Sequence, residues 1–157
     1  MNHILQEILN DQRFPEGSAW QRRVFSNKDM IVEEGQAGGS LFYIESGCLR
    51  VSGNIELESK KNIQPGIWEL EQGEIFGEIA LYQSQFRTAS VCAISDVTLV
   101  EINGEKLSIY LDDNPQRGYL FYKGLFEILI GRLDRANHRV SDLFAWGLKV
   151  HGIKEHL

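Results

Sequence analysis

Short runs of β-forming residues, separated by turns, fill residues 24–102 of this chain. Glycine marks most of these turns, as at Gly38-Gly39, Ser46-Gly47, Gln72-Gly73 and Asn103-Gly104. Many short strands divided by glycine turns are typical of a sandwich or jelly roll. We therefore predict a mainly β fold with flanking helices, a jelly-roll β-sandwich. The candidate strands are residues 41–44, 48–52, 67–70, 88–93 and 97–102.

Helical patterns flank the predicted β-region on both sides. Before it, apolar residues at helical spacing within residues 2–13 predict a short amphipathic helix. After it, a long helix is predicted over residues 114–145, because Asn114 suits a helix cap and Pro115 suits the first helical position. We expect residues 1–157 to form one domain, with the β-roll at 14–113.

The predicted C-terminal helix carries two apolar stripes. The first repeats at alternating spacings of three and four residues, as in a coiled coil, and predicts a homodimer through residues 119–143. The second would pack on the β-roll. A monomeric helix folded over the roll as a lid is the alternative, and Gly124 and Gly131 lower the helix propensity. The first stripe comprises Tyr119, Tyr122, Phe126, Leu129, Leu133, Ala136, Val140 and Leu143; the second comprises Leu120, Phe121, Leu125 and Ile128.

Charge is divided unevenly along the chain, whose net charge is −6. Residues 1–113 hold 9 basic and 18 acidic side chains, whereas residues 114–157 hold 7 and 4. An acidic body argues against nucleic-acid binding, which depends on neutralising phosphates. The sequence has no apolar run of about 18 residues and no signal-peptide pattern. We expect a cytoplasmic protein without a membrane span, in which Cys48 and Cys92 are buried thiols.

Residues 73–93 combine a backbone cradle with one carboxylate and one guanidinium. Gly77 leads into a stretch that suits one short helical turn, whose first amides have no partner within the helix and form an anion site. Arg87 supplies a fixed cationic fork for phosphate oxygens, and the hydroxyls of Thr88 and Ser90 could reach the same anion. Glu78 would repel a phosphate unless it points sideways and accepts hydrogen bonds from neutral hydroxyls, as on a ribose. The set fits a sugar phosphate with a single charge.

This segment resembles the phosphate-binding cassette of the cyclic nucleotide-binding domain family, which includes catabolite activators and protein kinase A regulatory subunits. The match runs from Phe76 to Leu81 and from Arg87 to Val91, without insertion or deletion. The resemblance covers residues 20–142 and departs in the hairpin at 53–64, which is longer and more polar than in many relatives. It implies that Glu78 takes the ribose 2′-hydroxyl and Arg87 the phosphate. The implied ligand-binding residues are Phe76, Gly77, Glu78, Ile79, Ala80, Arg87, Thr88, Ala89 and Ser90.

The contacts to the base are less sharply defined by the sequence. The resemblance suggests Val51 and Leu70 as apolar contacts to a purine, although both fit equally well as core residues. Asn137 falls where the catabolite activators have hydroxyl residues near adenine, and its amide suits a purine edge; setting the register of a helix pair is the alternative. Thr88 after Arg87 resembles the order in cGMP kinases and does not decide the base. We favour cAMP, with cGMP as the alternative.

These patterns predict a non-catalytic sensor that relays cyclic-nucleotide binding through its C-terminal helix to an unknown downstream partner. We expect no cofactor and no metal. One alternative is an interaction or dimerisation module that retains the fold without a ligand. Another is the sensory fragment of a larger transcription regulator or channel, because only 14 residues follow Leu143. An enzyme is disfavoured because no nucleophile, base and orienting group occur together, and His3, His138, His151 and His156 lack a metalloprotease-type spacing.

Overall fold

A computed structural model of the chain describes residues 1–53, 55–56, 62–63, 66–82 and 86–150. Its strands form two four-stranded antiparallel sheets and a two-stranded hairpin. The first sheet has the order β1-β10-β3-β8 and the second the order β2-β9-β4-β7. The strands are β1 (Trp20–Phe25), β2 (Met30–Val32), β3 (Ser40–Ser46), β4 (Leu49–Ser52), β5 (Ile55–Glu56), β6 (Asn62–Ile63), β7 (Gly66–Leu70), β8 (Ile75–Phe76), β9 (Ser90–Ala93) and β10 (Val97–Asn103).

This architecture confirms the predicted jelly-roll sandwich. The strand at 88–93 begins two residues later than predicted, at Ser90. The reason is that the backbone of Arg87 turns toward a neighbouring loop: its N–H donates to the Gln36 carbonyl at 2.7 Å, and its carbonyl accepts from the Gly35 N–H at 2.8 Å. The hairpin at 53–64 lies largely outside the described residues. Cys48 and Cys92 are free thiols that are only partly buried, not fully as expected.

The core consists of two apolar clusters on opposite sides of the first sheet. One cluster fills the space between the sheets, where Ile44, Leu49 and Leu99 have no exposed surface. The other joins the first sheet to the helices through residues such as Leu5 and Phe121. The helices therefore pack on the first sheet, on its side away from the second sheet.

Among the described residues, three α-helices cover the roll, one more than the sequence predicted. They are α1 (Asn2–Leu9), α2 (Gly104–Asp113) and α3 (Pro115–Val150). The pair Asn103-Gly104 was interpreted as a turn, which is wrong: the Asn103 side chain accepts from the Lys106 N–H at 2.9 Å and caps α2. Asn114, the expected cap of α3, donates from its side chain to the Tyr110 carbonyl at the end of α2.

The start of α3 is tied to the segment that follows α1 through the carboxylate of Asp11. Asp11 accepts hydrogen bonds from the Arg13 side chain and the Tyr110 hydroxyl, each at 2.7 Å, and from Arg117 on α3. The bonds from Arg13, followed by that from Tyr110, hold the pKa of Asp11 well below its ordinary value of 3.8. This cluster fixes the direction in which α3 leaves the roll.

The rest of α3 is increasingly exposed. Phe121 and Leu125 are buried against the roll, but Leu120, which was expected to pack there, is 46% exposed. Residues 133–146 are all exposed. In the described residues, no helix has the length and apolarity that crossing a membrane requires. The helix thus has an anchored first part and a projecting second part.

Candidate functional site

The predicted helical turn of the cassette is a 3₁₀ helix, Glu78–Leu81, that follows directly after β8. Gly77 precedes it with a left-handed φ of 76°, a conformation that glycine adopts without steric cost. A Cβ at Gly77 would also lie 3.0 Å from the Ser40 carbonyl oxygen. The first bond within the helix runs from the Ala80 N–H to the Gly77 carbonyl at 3.1 Å. The amides of Glu78 and Ile79 come before that bond and form the cradle.

Arg87 brings a half-buried positive charge next to this cradle. Its Nη1 donates to the Ser40 carbonyl at 2.7 Å, and its guanidinium carbon lies 5.5 Å from the centre of the Phe42 ring. Burial lowers the pKa of Arg87, an effect that the charge of Glu101 partly opposes. Glu101 itself pairs with Arg23 at 2.9 Å. Within the described part of the chain, Arg87 therefore has no carboxylate as a direct ion-pair partner.

Because Gly38 has no side chain, the Arg87 side chain can occupy the space beside it. A Cβ at Gly38 would lie 2.1 Å from Arg87 Nε and 2.4 Å from its Cζ. The sequence predicts Gly38 only as part of a turn and does not reveal this role. No local pattern could have revealed it, because the contact joins positions 49 residues apart.

The cradle and Arg87 border a cavity of about 100 Å³ between the second sheet and α3. A smaller cavity of about 40 Å³ lies on the other side of Arg87. Eight of the nine residues predicted to bind ligand line one or the other. The larger cavity includes Phe76, Gly77, Glu78, Arg87, Thr88 and Ala89, and the smaller includes Gly77, Ile79, Ala80, Arg87 and Thr88.

Ser90, the ninth residue, lies elsewhere. Its side chain is buried, and its hydroxyl accepts a hydrogen bond from the Glu34 N–H at 3.0 Å. Among the base candidates, Val51 and Leu70 are core residues that also line the larger cavity, and their contact with the base stays a prediction. Asn137 lies on the exposed part of α3 and lines neither cavity, and its contact with the base stays a prediction.

Arg132 on α3 also belongs to the site and was not predicted from the sequence. Its Nη1 donates to Glu78 Oε2 at 3.3 Å, and its Nη2 donates to the Ile75 carbonyl. The side chains of Arg132 and Glu78 are 13% and 21% exposed, so this ion pair is mostly removed from water. A signal was present: the roll-facing stripe that includes Leu125 and Ile128 reaches residue 132 at its next helical step.

The family model for the cyclic nucleotide-binding domain matches residues 22–114. The chain belongs to the cyclic nucleotide-binding domain family. The match includes the cradle, Glu78 and Arg87, so the recognition made from the cassette is confirmed. Arg132 lies beyond the matched residues.

Relatives of this domain occur in several kinds of regulatory protein. The chain is 25% identical over 119 residues to a CRP-like cAMP-activated global transcriptional regulator of Mycobacterium tuberculosis, covering 76% of this chain and 50% of that protein. It is 31% identical over 120 residues to potassium/sodium hyperpolarization-activated cyclic nucleotide-gated channel 1 of Homo sapiens, covering 76% and 12%. The catabolite activator protein of Thermus thermophilus aligns with a TM-score of 0.63 and 26% identity, covering 79% and 55%. The chain thus spans half or less of these curated relatives.

Gly38→Ala tests whether the position of Arg87 matters for binding. We expect the variant to fold, because the clash falls on the end of a flexible side chain. Its affinity for cyclic nucleotide should fall by about 1–3 kcal/mol, because the guanidinium loses its hydrogen-bonded position. Isothermal calorimetry and thermal melting measure the two effects.

Gly131→Ala is the matched control, since a Cβ there meets nothing within 4 Å. It should leave affinity unchanged. Wild-type affinity in Gly38→Ala would contradict the role given to Gly38.

Proposed function

We propose that this domain is a non-catalytic regulatory sensor that binds a cyclic nucleotide between the cradle and Arg87. The observation that carries the proposal is a half-buried guanidinium without an ion-pair partner in the described residues, which lines the same cavities as the start of the 3₁₀ helix. Burying a cation costs free energy unless a counter-charge is present. A cyclic phosphate has one negative charge, which matches the single cation.

In this proposal each group of the site contacts a different part of the ligand. Arg87 and the amides of residues 78–79 bind the phosphate oxygens, and Glu78 accepts from the ribose 2′-hydroxyl. Glu78 lines the same cavity as Arg87, as this division requires. Because a carboxylate repels a phosphate, Glu78 must face the sugar and not the anion.

We favour cAMP as the ligand, with cGMP as the alternative. The Mycobacterium tuberculosis relative is named as cAMP-activated, which supports the preference. Thr88 lines both cavities and is exposed, so its hydroxyl can serve either purine.

Arg87→Ala is the central test of the binding site. Calorimetric titration of wild type with cAMP and cGMP should show binding of at least one. Arg87→Ala should weaken it by roughly 2–5 kcal/mol, because the phosphate loses its counter-charge. Glu78→Gln should cost less, because the amide oxygen still accepts a hydrogen bond. Unchanged affinity in Arg87→Ala would remove it from the site.

A ligand-free interaction module is the second candidate function. Thermal melts with and without millimolar cyclic nucleotide distinguish the two, because a ligand in excess of its dissociation constant raises the melting temperature. The absence of any shift with both nucleotides, together with no heat of binding, would favour the ligand-free module.

We further propose that Arg132 couples ligand binding to α3. Arg132 donates to the carboxylate of Glu78, the group that is proposed to accept a hydrogen bond from the ribose 2′-hydroxyl. A bound ribose therefore changes the hydrogen bonds of a residue on the helix. Residues 133–146 follow Arg132 directly and are exposed, so little packing resists their movement.

Arg132→Ala should separate binding from the response of α3. In wild type, nucleotide should change hydrogen–deuterium exchange across residues 133–150. In Arg132→Ala, binding should persist while most of that change disappears, because the helix has lost its contact with Glu78. Lys123→Ala, an exposed change on the same helix, is the control and should keep the response. A full response in Arg132→Ala would contradict the coupling.

A homodimer through residues 119–143 is also part of the proposal. Seven of the eight residues of the predicted seam are exposed, with Phe126, Leu133 and Val140 each more than 60% exposed, whereas Tyr122 is half-buried against the roll. An apolar patch of this extent on one helix is typical of an interaction surface, and its heptad spacing favours a second copy of the same helix. The projecting residues 133–146 weigh against the monomeric lid.

Leu133→Glu combined with Val140→Glu should convert the protein to a monomer. Buried like charges at facing positions would outweigh the apolar contacts of the seam. Sedimentation or light scattering across a concentration series measures the mass. Ala145→Glu adds the same charge at an exposed position outside the seam and should leave the dimer intact. A monomeric wild type at all concentrations would refute the dimer.

The output of the sensor depends on the protein in which it acts. The relatives named above are a transcription regulator and a channel, and this chain spans only part of each. We propose a regulatory role toward a downstream partner. Cytoplasmic location and the lack of nucleic-acid contact stay predictions.

A further inference from the structure

Glu101 is a partly buried carboxylate close to Arg87, and the function proposed above gives it no role. It alternates along β10 with Leu99, which is buried between the sheets, so both side chains face the interior of the roll. Glu101 pairs in register with Phe42, whose ring centre lies 5.5 Å from the guanidinium carbon of Arg87. The side chain of Glu101 is 23% exposed, so water and salt screen its charge only partly.

Both oxygens of Glu101 are held by other groups, which keeps the carboxylate out of direct contact with Arg87. Its Oε1 accepts from the Ser40 hydroxyl at 3.0 Å. Its Oε2 accepts from Arg23 Nη1 at 2.9 Å and from Gln21 Nε2 at 3.2 Å, and both donors lie on β1. The Ser40 carbonyl in turn accepts from Arg87 Nη1 at 2.7 Å. Ser40 therefore lies between the carboxylate and the cation.

From this position the charge of Glu101 acts on the phosphate site without pairing directly with Arg87. Burial lowers the pKa of Arg87, and the charge of Glu101 partly opposes that effect. The same negative charge repels an anion bound at Arg87, because the Coulomb energy scales with the product of the two charges. The repulsion is therefore about twice as large for a dianion as for a monoanion.

We propose that Glu101 sets the charge selectivity of the phosphate site by lowering its affinity for dianionic phosphates more than for a cyclic monoanion. This inference rests on the proposed function. A cyclic phosphate carries one negative charge, whereas a 5′-monophosphate carries about two at pH 8, because the second pKa of a phosphate monoester is about 6. An unfavourable contact that weakens the wrong ligand more than the right one is a source of specificity.

Glu101→Gln removes the charge and keeps a side chain of similar shape, whose amide oxygen can still accept from Ser40. Calorimetry at pH 8 compares wild type and variant with cAMP and 5′-AMP, and with cGMP and 5′-GMP. Displacement of the cyclic nucleotide measures a monophosphate that binds too weakly for direct titration. We expect Glu101→Gln to bind the cyclic nucleotide roughly 2- to 10-fold more tightly, and the monophosphate more tightly by about the square of that factor. Added salt should reduce both gains, because it screens the charges.

Arg23→Gln should have the opposite effect, and it tests the inference independently of whether Glu101→Gln folds. The Arg23 side chain is 47% exposed, and the loss of such a surface ion pair costs a fold little. The change leaves the charge of Glu101 unopposed. Binding of the monophosphate should therefore weaken by a larger factor than binding of the cyclic nucleotide.

Glu45→Gln and Arg22→Gln are the matched controls. Glu45 is 22% exposed and pairs with Arg22 of β1 at 2.9 Å, as Glu101 pairs with Arg23. It lies toward the other end of β3 from Ser40, and neither control residue lines a cavity at Arg87. Both control variants should bind all four ligands like wild type.

Three results would overturn the inference. A common factor for cyclic nucleotide and monophosphate in Glu101→Gln would make Glu101 a structural residue, and wild-type affinities would leave it without influence on the site. The same charge-dependent gain in Glu45→Gln would assign the effect to the overall charge of the domain. In each of these cases wild type still binds cyclic nucleotide, so the proposed function survives. No binding of either cyclic nucleotide to wild type would instead refute the proposed function, and this inference with it.

Discussion

The site depends on one partly desolvated cation. Arg87 is held by the Ser40 carbonyl and the Phe42 ring, a carbonyl dipole and an aromatic face, and neither neutralises its charge. Burial lowers its pKa because the charged form has lost water. The fold thus carries an electrostatic cost at this position that a monoanion relieves. A direct carboxylate partner would remove that cost, and with it the reason for an anion to bind.

The carboxylate of Glu78, unlike the guanidinium of Arg87, has a direct ion-pair partner. The amide of Glu78 belongs to the cradle, yet its carboxylate pairs with Arg132 from a distant helix. This pairing keeps the negative charge of Glu78 from cancelling the attraction between Arg87 and a phosphate. In the proposed arrangement, the sugar side of the site is completed by α3, whereas the phosphate side is built entirely from the roll. That proposal therefore assigns binding of phosphate and response of the helix to different residues.

The sequence predicted those parts of the site that local structure determines. The cradle requires only a glycine with positive φ and one short helical turn, and both are evident between Phe76 and Leu81. Arg87, Thr88 and Ala89 follow in the same segment and line the same cavities.

Other parts depend on long-range contacts and could not be predicted with the same certainty. Gly38 matters only because the Arg87 side chain passes over it. The hydroxyl of Ser90 is used by a loop amide from a different strand connection. Helix α2 was missed because an Asn-Gly pair is typical of turns, and its capping role is recognisable only when the Lys106 amide is in reach. Predicting Arg132 as a site residue requires knowing how α3 is rotated relative to the roll, and the seam pattern alone does not give this rotation.

The anchoring of α3 limits how it can respond. Its start is fixed by the hydrogen bonds of Asp11 with Tyr110 and Arg117, and Phe121 and Leu125 are buried. Only the part after Arg132 is free of the roll. A ligand can move that part only by the difference in free energy between the contacts of Arg132 in the two states. Two hydrogen bonds provide about 1–3 kcal/mol, which corresponds to a shift of roughly 5- to 150-fold in the population of the two arrangements. In the proposed coupling, one arginine at the boundary between the fixed and free parts of the helix is therefore sufficient for a regulatory signal.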